Sequence, residues 1–213
     1  MMAGSLKYDP LNIVICGIGG QGNILASELL GSALVENGYI VTVGETYGAS
    51  QRGGSVMSHI RITRKKELSV LVPNREAHII VGFEPLETLR MARQYANADT
   101  FAVFDSRAAY PIGVLGGEQV YPSVSDIIAE LRKRCRRALA VPAAEIALSA
   151  GDGKAANIAL LGALMALKML PLTTEDFAHM VGQRFQGDVL TVNQRVFEMG
   201  SNALVSQLQK EGS

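Results

Sequence analysis

Short apolar runs alternate with longer segments of helical period along most of the chain. Asn12–Cys16 is a run of strand type, and from about Gln21 to Glu36 the apolar positions change period. There Leu25, Leu29 and Ala33 form one stripe and Ala26, Leu30 and Leu34 its neighbour, the spacing of a helix with a broad buried face. Asn37-Gly38 ends that helix, and Tyr39–Val43 is a second strand. In Ser55–Thr63 Val56, Ile60 and Ile62 fall on one face and Met57, His59 and Arg61 on the other, a half-buried strand. Arg64–Glu67 then reads as a turn and Leu68–Val72 as a returning strand, a β-hairpin that interrupts the βαβ alternation. The alternation resumes with strands Ala77–Phe83, Thr100–Phe104 and Arg137–Val141 and helices Pro85–Tyr95 and Val124–Arg134. Helices then follow one another: a short one from Pro142 to about Ala150, the strongly apolar Ala155–Met169, Thr174–Phe185 and about 189–209.

This order predicts an α/β fold, a Rossmann-like, mostly parallel sheet with flanking helices, one β-hairpin insertion and a helical C-terminal region. Residues 1–213 are expected to form a single domain, with 1–11 a loose arm and 143–213 its helical C-terminal part. The chain is 48% hydrophobic, enough for a sizeable core, and its 20 basic and 20 acidic residues cancel. That balance gives no reason to expect nucleic acid or a membrane as partner. No apolar run approaches the roughly 20 residues of a membrane span, and Met1–Pro10 has no apolar core of a signal peptide. Cys16 and Cys135 are expected as free thiols in a reducing, cytoplasmic setting.

Candidate chemistry gathers after the first two strands. Gly17-Ile18-Gly19-Gly20-Gln21-Gly22 lies between strand and helix, where backbone N–H groups and a helix N-terminus can face a phosphate. Gly17, Gly19 and Gly22 keep the dinucleotide spacing, and the same residues equally suit a tight turn with no ligand. The second stretch, Gly44 to Ser58, contains Gln51, Arg52, Gly53, Gly54 and Ser55 and is too glycine-rich and polar for a packed element. It suits a loop that faces a ligand or a partner. Glu45, near the end of the second strand, is placed where an acid could bind ribose hydroxyls in a dinucleotide fold.

Other signals are weaker. Gly151-Asp152-Gly153 matches the first three residues of the thiamine diphosphate signature but follows a helix and lacks the asparagine pair, so it reads as an interhelical turn. His59, His78 and His179 are scattered, and no metal site is expected. No CxxC occurs, so an iron–sulfur cluster is not expected in this chain. The basic run Arg132-Lys133-Arg134 with Arg136-Arg137 fits a solvated helix C-terminus or, alternatively, a dock for an acidic group.

Four segments together resemble a known family: Gly17–Gly22; Gly48–Val56 running on to Ser58-His59-Ile60-Arg61; Glu84-Pro85-Leu86-Glu87; and Asn157–Ala163. The family is the gamma subunits, or gamma domains, of the 2-oxoacid:ferredoxin oxidoreductases, and the resemblance runs from about residue 12 to about residue 200. Within it the chain is most similar to the beta subunits of indolepyruvate oxidoreductases, which implies an arylpyruvate substrate. One departure is Ala77-His78 where the family usually has Ala-Asp.

The resemblance implies a subunit that is not catalytic alone and binds no cofactor by itself. A partner subunit would carry thiamine diphosphate and iron–sulfur clusters, ferredoxin would accept the electrons, and coenzyme A would take the acyl group. On that view Gly17, Gly19, Gly20, Gln21 and Gly22, with Gln51, Arg52, Gly53, Gly54 and Ser55, face coenzyme A or the partner's active site. Asn157 fixes the loop before its helix. Two other expectations stand beside it: a free-standing NAD(P)-binding oxidoreductase that uses Glu45, and a purely structural assembly subunit with an empty glycine loop.

Overall fold

The computed structural model describes residues 6–47, 54–110, 112–117 and 120–211. Six strands form one sheet: β1 (Leu11–Ile18), β2 (Ile40–Tyr47), β3 (Ser55–Thr63), β4 (Ile79–Gly82), β5 (Phe101–Asp105) and β6 (Arg137–Val141). Their spatial order is β2-β3-β1-β4-β5-β6. All run parallel except β3, which pairs antiparallel with both β1 and β2. The hairpin expected from Ser55–Thr63 and Leu68–Val72 is not formed: β3 pairs with β1 and β2 and lies within the sheet.

The helices are α1 (Asn23–Glu36), α2 (Pro85–Tyr95), α3 (Ile112–Leu115), α4 (Val124–Arg134), α5 (Ala143–Ser149), α6 (Ala156–Ala166), α7 (Thr174–Arg184) and α8 (Gly187–Glu211), with one 3₁₀ turn at Gly153–Ala155. Their ends follow local chemistry. Glu84 caps α2 by accepting from the Glu87 N–H at 2.8 Å, with Pro85 at the first position. Ser123 caps α4, and Thr173 with Asp176 forms a reciprocal capping box on α7.

Two cores cover the two faces of the sheet. Ile13 and Ile15 of β1, Ile60 and Ile62 of β3 and Val103 of β5 meet α1, α5, α6, α7 and α8 on one face. Val14, Cys16, Ile80, Ala102 and Phe104 meet α2 and α4 on the other. Both faces of β1 are buried, which is why it reads as a continuous apolar run. At the α6–α8 crossing, a Cβ on Gly162 would lie 2.0 Å from the Phe197 carbonyl oxygen, and one on Gly200 equally close to that of Ala159. Glycine at these two positions lets the backbones touch. Among the described residues no helix is long and apolar enough to cross a membrane.

Leu68–Val72 is not the returning strand its composition predicts. It crosses the polar half-face of β2 and β3 instead of pairing at the sheet edge. Buried Arg61 draws it there: its guanidinium donates to the Ser69 carbonyl at 3.1 Å and to the Ser69 hydroxyl at 2.7 Å. The Val72 N–H donates to His59 Nδ1 at 3.3 Å, and Val70 sits where Gly44 has no side chain. The polar residues that looked like the outer face of a hairpin are the anchors of this segment. Of the expected arm, Leu6 to Pro10 is described: Tyr8 stacks on His78, and the Thr63 hydroxyl donates to Asp9. His78 Nδ1 in turn accepts from the Asn12 N–H at 3.0 Å.

Two predictions follow from this packing. Gly162→Ala and Gly200→Ala each lose roughly 1–3 kcal/mol or more by overpacking, read as a lower urea midpoint. Burial holds the imidazoles of His59 and His78 below their ordinary value. Their neutral forms stabilise the fold, and that contribution is lost as pH falls below about 6.5, where the unfolded chain takes up protons first. The melting temperature should therefore fall between pH 7.5 and 5.5, with a shallower slope in His78→Asn.

Candidate functional site

The site lies beyond the C-terminal ends of β1, β4 and β5. α1 packs on one face of the sheet and α2 on the other, so the chain switches face between β1 and β4. In open α/β sheets that is the place where ligands bind.

The loop from Gly19 to Gly22 is held tightly by the protein itself. The Gly19 N–H donates to the Gly54 carbonyl at 2.9 Å, which ties the loop to the start of β3. Gln21 turns back: its Oε1 accepts from the Ile18 N–H at 2.7 Å and its Nε2 donates to the Phe83 carbonyl at 3.1 Å. A Cβ on Gly17 would fall 2.7 Å from that Oε1, so Gly17 makes room for the brace. Gly20 and Gly22 have φ of 102° and 88°, conformations that disfavour L side chains. Among the described residues neither of their N–H groups donates to a backbone or side-chain acceptor.

Asn157, in the first turn of α6, meets this loop from 135 residues away. Its Nδ2 lies 3.5 Å from the Gly22 carbonyl oxygen, and a Cβ on Gly22 would stand 2.5 Å from the same nitrogen. Asn157, expected to fix the loop before its own helix, has its amide against the glycine loop. Asn23 spans to β3, where its Nδ2 donates to the Val56 carbonyl at 3.3 Å. Its Oδ1 is buried and has no partner among the described residues. Ser55 opens β3 opposite Ile18. Gly48 to Gly53, with the candidates Gln51, Arg52 and Gly53, lie outside the described residues.

Two cavities flank the loop, and Gly20 and Gly22 line both. The larger, about 720 Å³, lies on the β4–β5 side and takes in Asp105, Arg107, Tyr110, Lys154 and Asn157. The other, about 500 Å³, lies on the β3 side with Glu28, Glu45, Asn23, Ser58 and Arg184. Asp105 has both oxygens engaged, Oδ1 by the Arg107 N–H at 3.1 Å and Oδ2 by the Ala144 N–H at 3.2 Å. It supplies α5 with the cap that Pro142 cannot. Burial raises its pKa, and those N–H groups oppose the rise. Glu84 is also raised by burial, against the pull of the Tyr121 hydroxyl that donates to its Oε1. The Cys16 thiol is pushed up by burial and by Glu87 and Glu84, which makes it a packed residue and not a nucleophile. Among the described residues no group of His, Cys, Asp or Glu is arranged to hold a metal.

Glu45 does not stand where a dinucleotide fold needs its acid. β3 lies between β1 and β2 and sets Glu45 about 9–10 Å across the sheet from the glycine strand. It accepts from the Ser27 hydroxyl at 3.1 Å. Arg107, Tyr110 and Lys154 are the cavity residues that sequence reasoning missed. Arg107 carried one usable signal, its place just after a predicted parallel strand.

The family described as pyruvate ferredoxin/flavodoxin oxidoreductase matches residues 12–203. Indolepyruvate oxidoreductase subunit IorB of Archaeoglobus fulgidus is 34% identical, over 92% of this chain and 96% of its own length. Its counterpart in Pyrococcus horikoshii is also 34% identical, over 92% and 97%. Ketoisovalerate oxidoreductase subunit VorA of Methanothermobacter marburgensis is 28% identical over 96% of this chain, which covers 39% of that protein. Among solved structures, the keto/oxoacid ferredoxin oxidoreductase gamma subunit from Geobacter sulfurreducens superposes with a TM-score of 0.69 at 20% identity, over 93% of this chain and 98% of that one. The 2-oxoglutarate:ferredoxin oxidoreductase from Magnetococcus marinus, solved with 2-oxoglutarate, coenzyme A and succinyl-CoA bound, gives 0.71 at 20% identity, over 94% of this chain and 32% of that one. At that identity the two structures speak to the fold.

The Gly22–Asn157 contact makes a prediction of its own. Gly22→Ala should cost about 1–2 kcal/mol for the left-handed backbone and more for displacing Asn157. In an Asn157→Ala background the same change should cost less, because the clash is gone. A double-mutant cycle by chemical denaturation reads the coupling, expected at about 0.5 kcal/mol or more.

Proposed function

This chain belongs to the pyruvate ferredoxin/flavodoxin oxidoreductase family and is a gamma-type subunit of a 2-oxoacid:ferredoxin oxidoreductase, and we propose that it completes a coenzyme A-using active site carried mainly by a partner subunit. The reaction is the oxidative decarboxylation of a 2-oxo acid, with indolepyruvate or another arylpyruvate as substrate. The 2-oxo acid and the thiol of coenzyme A give acyl-CoA, carbon dioxide and a proton, and two electrons pass to ferredoxin. Thiamine diphosphate in the partner supplies the decarboxylation chemistry, and iron–sulfur clusters there carry the electrons.

The observation that carries this reading is the half-built character of the larger cavity. It offers cations and the N–H groups of Gly20 and Gly22, which have no acceptor among the described residues, while Asp105 and Gln21 are spent on the protein's own backbone. That is equipment for holding an anionic ligand. Around the same end, Tyr110, Leu115, Val120 and Leu148 are large, apolar and exposed, the character of a surface that another chain covers. The likeness to IorB chains from end to end, at 34% identity, supports the indolepyruvate substrate.

In this reading Gly20 and Gly22 present N–H groups to the ligand. Gly17, Gly19, Gln21, Gly54, Ser55 and Asn157 hold the loop in shape. Gln51, Arg52 and Gly53 reach coenzyme A or the partner. The NAD(P)-binding alternative loses its main support with the displacement of Glu45 by β3.

Reconstitution tests this directly. The chain and its thiamine-binding partner, mixed with a panel of 2-oxo acids and coenzyme A, should reduce an artificial acceptor, and either chain alone should not. Full activity of the partner by itself would refute the reading. Arg52→Ala should raise the KM for coenzyme A about 10-fold or more, the loss of one charge-assisted contact, and unchanged kinetics would remove Arg52 from the site.

A further inference from the structure

The glycine loop sorts charge between its two cavities. Among its described lining residues the β3-side cavity has the carboxylates of Glu28 and Glu45 and one cation, Arg184, and the buried Asn23 Oδ1 there has no partner among the described residues. Its described carboxylates outnumber its described cations. The β4–β5 side is opposite in character. Its charged groups are Arg107, Lys154 and Asp105, and Asp105 is turned onto the N–H groups of Arg107 and Ala144. Among the described residues no carboxylate lies in salt-bridge contact with the side chain of Arg107 or Lys154. Both residues are exposed and line the cavity from separate segments, Arg107 from the loop after β5 and Lys154 from the turn before α6. A volume of about 720 Å³ is generous for a lone phosphate and lies in the range of small-molecule sites.

We propose that Arg107 and Lys154 form a two-sided clamp for a phosphorylated group of nucleotide size, bound on the β4–β5 side of the glycine loop and not on the β3 side. This rests on the reading of the chain as a subunit of a coenzyme A-using enzyme, in which the group is the phosphorylated nucleotide end of that co-substrate. The planar guanidinium can pair with two phosphate oxygens, and the ammonium adds a mobile point charge from a separate segment of the lining. The clamp fixes the part of the co-substrate that does not react and leaves the thiol end free to extend toward the partner.

The test compares coenzyme A with pantetheine, which keeps the thiol and lacks the nucleotide and its phosphates. In the assembled wild-type enzyme the KM for pantetheine should exceed that for coenzyme A by 100-fold or more. In Arg107→Met/Lys154→Met, which keeps the apolar stems and removes both charges, that ratio should fall at least 10-fold. Arg107→Lys should keep most of it. Circular dichroism and co-purification of the double variant with the partner confirm that fold and assembly survive. An unchanged ratio in an assembled double variant would overturn the clamp and leave the subunit reading standing. A wild-type complex that turns over with no thiol co-substrate would overturn that reading, and the clamp with it.

Discussion

β3 runs antiparallel between β1 and β2, and the arrangement of the site depends on its hydrogen bonds to both. In a dinucleotide fold the second parallel strand lies beside the first, so an acid at its tip reaches the ribose of a nucleotide held by the glycine loop. Here the slot is taken. β2 is pushed one strand outward, and the start of β3 uses the Gly19 N–H as a tie to Gly54. A loop that would otherwise cradle a pyrophosphate is partly spent on the sheet. Gly20 and Gly22, whose N–H groups find no acceptor among the described residues, border both cavities.

The glycine loop then needs fixing from its other side, and the C-terminal helices supply it. α6 and α8 cross closely at Gly162 and Gly200, which seats α6 firmly against the α1 face of the sheet. From that seat Asn157 reaches Gly22, and Lys154 in the preceding turn lines the cavity. Asp105 serves both neighbours, capping α5 and holding the start of the loop that carries Arg107. The elements that build the core are thus the elements that bring the cations to the cavity.

Most of the fold was legible in the sequence because its signals are local. Helices α2 and α4 and strands β3 and β6 occupy the predicted residues, since capping by Glu84 and Ser123 and the period of apolar positions are properties of neighbouring residues. The course of Leu68–Val72 was not legible. An apolar pentapeptide after a turn can pair at an edge or lie across a face, and the choice was made by Arg61 and His59 on another element. Gln21 illustrates the same limit at the site. A polar residue in a glycine loop reads as ligand-facing, yet its amide closes the loop onto Ile18 and Phe83. The meeting of Gly22 with Asn157 and of Arg107 with Lys154 are long-range facts that no local pattern carries. Resemblance to the family marked Asn157 but assigned it to the loop before its own helix, whereas its amide lies at the glycine loop.

The central claim is that this chain presents the C-terminal end of its sheet to a partner and a shared co-substrate. Hydrogen–deuterium exchange of the free chain, of the chain with its thiamine-binding partner, and of that complex with coenzyme A tests it most directly. The account predicts that the partner protects the segment around Tyr110–Tyr121 and Leu148, and that coenzyme A adds protection at Gly20–Asn23, Arg107–Tyr110 and Lys154–Asn157. Protection confined to the opposite end of the sheet, with these segments unchanged by coenzyme A, would contradict it.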